Sequence, residues 1–162
     1  MITKKPALLT PEGLAKLQAE YEEMTTVGRE EVADRLHRAF EDGQDDDFVD
    51  NAELEAARNE QAFLEGRIQE LEDILSNYEI IPENDKTPDR VNVGDWVTVI
   101  EEGYDEEERY HLVGAAEADP VEGRISNESP LGCALLDAKV GEIVTFDAPG
   151  GLTSFRVVKI ND

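Results

Sequence analysis

Residues 54–75 read LEAARNEQAFLEGRIQELEDIL, and the spacing of their apolar positions decides the fold of the first half of the chain. Leu54, Ala57, Gln61, Leu64, Ile68, Leu71 and Leu75 recur at alternating intervals of three and four residues. That is the heptad seam of a helix packed on a partner helix, with one polar layer at Gln61. Glu53, Glu60, Glu65, Glu70 and Glu72 belong to its outer faces.

The partner lies upstream. Thr10-Pro11-Glu12 combines a capping hydroxyl, a proline suited to the first helical position and an early acid, which together signal a helix start. Leu14, Leu17, Tyr21 and Met24 continue a seam that blurs at Gly28 and resumes at Val32, Leu36 and Ala39. Gly28 weakens a helix locally by about 1 kcal/mol relative to Ala. The first helix is expected from about Pro11 to Phe40, on the order of 45 Å at 1.5 Å per residue. Two such helices joined by a short break form an antiparallel hairpin. A long hairpin with so little core serves as a spacer or a probe.

Downstream the character changes. Asn77 to Arg90 is polar and turn-rich, with Pro82 and Pro88 flanking Glu83-Asn84-Asp85-Lys86. The segments Val91–Ile100, Glu108–Val113, Glu122–Ser126, Ile143–Phe146 and Thr153–Ile160 are β-rich runs bounded by Gly, Pro and Asp, with a helical turn or two at Leu131–Ala138. The expected fold is α+β: a helical hairpin domain over 1–80, a linker over 81–90, and a small antiparallel sheet with a short helix over 91–162.

Charge narrows the partners. The chain has 162 residues, 39 acidic and 15 basic, for a net charge of −24. Phosphate backbones are bound through Lys and Arg, so free nucleic acid is disfavoured as the main partner; a basic protein surface, a basic channel, metal ions or plain solubility all fit. Cys133 is the only cysteine, which excludes an intramolecular disulfide and a thiolate zinc cluster and reads as a small core residue. No signal peptide and no apolar run of about 20 residues is present, so a cytoplasmic chain with no membrane partner is expected.

The hairpin turn carries the most unusual run. Within residues 41–50, Glu41, Asp42, Asp45, Asp46, Asp47 and Asp50 are acidic and no residue is basic. Asp suits turns, but clustered carboxylates repel one another, and either solvent or a cation offsets that. Hard divalent cations take carboxylate oxygens, and this run lacks the spacing of an EF-hand loop. A tip on a rod suits the donation of ligands to a metal held partly elsewhere, or is simply a solvated turn.

Asp47-Phe48-Val49-Asp50-Asn51-Ala52-Glu53, with Ala56–Gln61 and Glu65-Gly66-Arg67-Ile68, resembles the tip and second helix of Gre transcript-cleavage factors. Gly94-Asp95, His111–Gly114 with Glu117-Ala118-Asp119, Ile125-Ser126 with Ser129-Pro130-Leu131, Ala134-Leu135-Leu136 and Ala148–Gly151 resemble the C-terminal domain of the same family. Asp73–Asn77 at the end of the second helix fits too, so the likeness covers nearly the whole chain.

The resemblance implies an N-terminal coiled coil and an FKBP-like C-terminal domain. It implies a factor that binds RNA polymerase as a monomer. The globular domain docks at the rim of the secondary channel, through the Ser129, Pro130 and Leu131 loop. The coiled coil enters that channel. Asp47 and Asp50, joined by Asp45 and Asp46, help hold a Mg²⁺ shared with the polymerase, whose own activity hydrolyses backtracked RNA. By this reading the factor is no enzyme itself and binds no metal tightly alone. Arg38 and Arg58 are candidates for contact with the nascent RNA near its 3′ end, against the plainer reading of helix-surface charge; Arg35 reads as surface charge.

Asp50 stands where the family has Glu, the segment before it is a few residues longer, and Leu54 replaces a frequent Tyr. These departures lean toward the inhibitory homologues of the family, which block synthesis, whereas Asn51-Ala52-Glu53 leans toward cleavage stimulation. From another class, an FKBP-like prolyl isomerase or chaperone needs an aromatic-lined pocket, and aromatics make up only 6% of the chain. His37 and His111 read as structural, and Trp96, Phe146 and Phe155 as core.

Overall fold

A computed structural model describes residues 4–42, 49–82 and 88–161, and for 42 and 49–51 the backbone alone. The chain forms two compact units. Leu14–Asn77 is helical, and Met1–Gly13 with Tyr78–Asp162 is the sheet unit. The units therefore divide differently from a cut at residue 80. The reason is a short parallel pair, β1 (Ala7–Leu9) and β2 (Tyr78–Ile80), which ties both ends of the helical segment to the sheet unit. Ile81 adds a backbone N–H bond to the Leu9 carbonyl at 2.8 Å.

The helical unit consists of α1 (Pro11–Glu23), one π-helical segment (Met24–Gly28), α2 (Arg29–Asp42) and α3 (Val49–Ser76). The π segment explains the blurred seam. From Met24 the apolar positions fall at Gly28, Val32 and Leu36, each four residues on, so the seam carries one residue more than an α-helix allows. A wider i→i+5 turn absorbs that residue and returns α2 to the same face. The Arg29 N–H accordingly reaches the Met24 carbonyl. Thr25 and Thr26 donate their hydroxyls to the carbonyls of Tyr21 and Glu22, at 2.8 and 2.7 Å. Those carbonyls lie where the widened turn disturbs the helical ladder.

Val32, Leu64 and Ile68 form the core of the hairpin, with Tyr21, Met24 and Leu36 packed against it. Ala57 and Leu71 are fully buried, whereas Gln61 is exposed. The expected polar layer therefore does not form, and the amide keeps its hydrogen bonds with water. Arg67 pairs with Glu20 at 2.8 Å and Arg29 with Glu65 at 3.0 Å, and Arg35 pairs with Glu60, all across the antiparallel helices. These groups are at least one-third exposed apart from the Arg67 pair, so the packed seam holds the hairpin more than they do.

The sheet unit contains β3 (Trp96–Glu101), β4 (Glu107–Val113), β5 (Arg124–Ser126), α4 (Pro130–Leu135), β6 (Ile143–Ala148) and β7 (Gly151–Ile160). The sheet order is β5-β4-β3-β7-β6. It is antiparallel except at β4 and β5, which pair in parallel because two 3₁₀ turns carry the chain back to the same end. One face buries Val97, Val99, Leu112, Val144, Phe155 and Val157 against Leu135 and Ala138 of the α4 region. Burial of each such side chain contributes about 1.5–3 kcal/mol. Alternation along β3 sends Trp96 to the opposite face, half-buried, where His111 stacks on it at 4.4 Å and the Arg109 guanidinium lies 4.5 Å from its ring centre. Trp96 thus belongs to a polar-capped stack instead of the core; Phe155 is buried and Phe146 packs beside it. Cys133 is exposed, its thiol 3.3 Å from the Asn127 carbonyl, because the short α4 turns Leu131, Ala134 and Leu135 inward.

Candidate functional site

The acid run joins the C-terminus of α2 to the N-terminus of α3. Asp45, Asp46 and Asp47 lie outside the described residues, and Asp50 falls in the first turn of α3. Glu41 and Asp42 close α2, where the negative end of the helix dipole disfavours acids. Helix stability therefore gives no reason for them. His37 sits one turn before Glu41, 3.3 Å from its carboxylate, and relieves part of that charge when protonated. Among the described residues no cluster of His, Cys, Asp and Glu is arranged to hold a metal ion.

Below the turn, α2 and α3 leave an open cleft of about 510 Å³ lined by Arg35, Arg38, Ala39, Ala52, Glu53 and Ala56. The three alanines leave the space, and the arginines make one side of it cationic. Arg38 therefore lines this cleft together with Arg35, whose guanidinium also pairs with Glu60. Arg58 is exposed and does not line this cleft. Arg35 was read in the sequence as surface charge alone; its spacing of one turn from Ala39 was the signal for a place in the cleft.

In the sheet unit, Ser129 caps α4: its hydroxyl accepts the Gly132 N–H at 3.0 Å and donates to the Ser126 carbonyl at 2.6 Å. Pro130 is exposed and Leu131 packs on the core. A side chain at Gly132 would meet the Ser126 carbonyl at 1.9 Å. The loop is thus rigidly built and presents Pro130 to solvent.

Two polar residues, each noted in the sequence only within a motif of the resemblance and with no role of its own, organise this unit. Asp95 is fully buried and accepts the Asn92 N–H at 2.7 Å and the Asn161 side-chain amide at 3.0 Å. Asn161 in turn accepts the Trp96 N–H. Glu117 takes both the N–H and the hydroxyl of Thr10, at 2.7 and 2.6 Å. A side chain at Gly114 would meet the Leu8 carbonyl at 2.1 Å. The motifs Gly94-Asp95 and Gly114 with Glu117 therefore secure the chain ends to the sheet. Burial lowers the His111 pKa from its ordinary value, against a bond to the Gly94 carbonyl at 3.1 Å that raises it.

An antiparallel helical hairpin with an acid run at its end, followed by a compact sheet unit, defines an α+β class of protein. Residues 7–80 match the family described as transcription elongation factor, N-terminal, and residues 85–162 match transcription elongation factor, GreA/GreB, C-term. The chain belongs to the GreA/GreB family of transcription elongation factors. It is 45% identical over 160 residues to transcription elongation factor GreA of Acetivibrio thermocellus, covering 99% of each. It is 46% identical over 156 residues to transcription elongation factor GreA of Thermoanaerobacter pseudethanolicus, covering 96% of this chain and 98% of that one. It is similar also to the crystal structure of GreA factor homolog 1 of Thermus thermophilus, at 32% identity and a TM-score of 0.45, with 98% of this chain and 100% of the other covered.

Proposed function

We propose that the chain acts as a monomer in the cytoplasm on RNA polymerase, inserting its hairpin into the secondary channel so that the acid turn reaches the catalytic centre. The observation that carries this is the run of six acids from the last turn of α2 to the first turn of α3, in a chain of the GreA/GreB family. Asp47 and Asp50 would hold a Mg²⁺ shared with the polymerase, with Asp45 and Asp46 as further donors; carboxylate oxygens are the donor type this cation takes. The metal supplies charge stabilisation for phosphodiester hydrolysis of backtracked RNA, which the polymerase carries out. Arg38 in the cleft below the turn would meet RNA phosphates near the 3′ end. Arg58, which the cleft does not include, is the weaker candidate. The loop of Ser129, Pro130 and Leu131 would supply part of the docking contact of the sheet unit.

A second reading, inhibition, is favoured by the additional carboxylates of Asp45 and Asp46 and by Asp50 in place of Glu. Single Asn variants of Asp45, Asp46, Asp47 and Asp50 in transcript-cleavage and elongation assays separate the two. Under cleavage stimulation, Asp47→Asn or Asp50→Asn removes most activity without loss of polymerase binding, and Asp50→Glu keeps or raises it. Under inhibition the four substitutions weaken the effect to similar extents. Full activity of the Asp47→Asn, Asp50→Asn double variant overturns both.

A further inference from the structure

The helical unit has a second surface feature, away from the acid turn. Phe63 is 78% exposed and Val27 49% exposed. Both border a groove of about 390 Å³ whose floor includes Met24, Gly28 and Leu64. The hairpin seam uses Leu64 and Ile68, so Phe63 is not needed to close the core. Scattered exposed apolar side chains are ordinary, but here two of them face one groove.

The π segment builds this feature. It widens the first helix at Met24–Gly28, where Val27 stands at the rim. Gly28 keeps the floor low, since a Cβ there would come within 3.2 Å of the Leu64 Cδ1. Single π turns inside α-helices occur frequently at functional sites.

The rim is acidic and carries no Lys or Arg. Glu20, Glu23, Glu31 and Glu60 line it. Glu20 and Glu60 are taken up by Arg67 and Arg35, whereas Glu23 and Glu31 have no cationic partner among the described residues. An apolar floor with free carboxylates above it complements a segment that offers an aliphatic side chain flanked by cations. RNA does not meet that description, because its phosphates would face the same carboxylates. Nor does a second copy of this chain, at a net charge of −24.

We propose that the groove between Val27 and Phe63 docks a basic protein segment of the RNA polymerase, which seats an aliphatic side chain on Met24 and Leu64 while Lys or Arg side chains meet Glu23 and Glu31. This rests on the polymerase-binding reading above. It adds a lateral contact on the hairpin that is independent of metal chemistry at the turn.

The test uses the full chain and purified polymerase core enzyme. Phe63→Ala and Glu23→Lys/Glu31→Lys are expected to weaken binding about tenfold each. Their helical circular dichroism stays unchanged and their melting temperature does not fall, since these side chains are exposed and the Lys pair relieves part of the charge repulsion. The Glu23→Lys/Glu31→Lys variant should also show a shallower dependence of affinity on salt. A photoreactive benzoylphenylalanine at position 63 should cross-link to a polymerase peptide containing Lys or Arg beside an aliphatic residue. Wild-type affinity in both variants, while the unsubstituted chain binds, overturns this inference alone. Cross-links confined to a second copy of this chain, or, when nascent RNA is added, to that RNA, also overturn it. Failure of the unsubstituted chain to bind polymerase overturns the functional reading and this inference with it.

Discussion

Asp95 shows how one buried carboxylate organises the sheet unit. It joins the turn before β3 to Asn161 after β7, its own side chain fully buried and its two oxygens accepting the Asn92 N–H and the Asn161 amide. Asp95→Ala removes the acceptor for both donors, and is expected to cost about 1–3 kcal/mol in urea unfolding. Asp95→Asn, which keeps one acceptor oxygen, should cost less. His111 offers a pH readout, because it stacks on Trp96, the only tryptophan. Burial lowers its folded pKa below the ordinary value of 6.5. The unfolded chain therefore takes up the proton first as pH falls. Its contribution to stability is complete above about pH 6.5 and is lost as pH drops through the lowered folded value. Trp96 fluorescence should titrate with a midpoint below 6.5, and His111→Phe should abolish that transition. A midpoint at or above 6.5 would contradict the burial argument. Asp95 and Glu117 stood in motifs noted in the sequence, but their roles were not legible there, because Asn161 and Thr10 lie 66 and 107 positions away and no local period marks the pairing.

At the scale of elements, what was legible followed from periodicity. The seam of α3 placed Ala57, Leu64, Ile68 and Leu71 inside, and the alternation in β3 and β7 placed Val97, Val99 and Val157 there. The pair β1 and β2 escaped detection because three-residue strands hold too few positions to show alternation, and their partners are set by the chain's return after the hairpin. The interrupted first seam was visible; its structural form, a π segment, was not. That form makes a prediction. Deletion of Thr26 removes the extra residue and leaves a continuous α-helix with Val32, Leu36 and Ala39 still on the seam. It should cost under about 1 kcal/mol. Deletion of Ala33, inside α2, turns Leu36 and Ala39 by one residue, about 100° around the helix, away from α3. That should cost roughly 3 kcal/mol or more. Thermal unfolding followed by circular dichroism compares the two, and equal losses would refute the role assigned to the π segment.

Over the whole molecule the dominant quantity is the net charge of −24, which acts on stability and on encounter in opposite directions. Within the chain, like charges repel in the compact state, and salt screens them over a Debye length of about 10 Å at 0.1 M. The melting temperature should therefore rise by several degrees between low salt and about 0.5 M NaCl. Toward a basic protein surface the same charge is attractive and steers diffusion, accelerating association by roughly 10–1,000-fold at low salt. The association rate with RNA polymerase should accordingly fall by about tenfold or more over the same range, while the dissociation rate changes less. Stopped-flow association and scanning calorimetry in matched buffers give the two slopes. The pairing of signs is the informative part. If the chain met its target mainly through nucleic acid phosphates, salt would relieve repulsion and speed association, so both quantities would rise together. A rate that is flat in salt would mean that the acidic excess serves solubility, and that the hairpin finds its target through apolar contacts and shape alone.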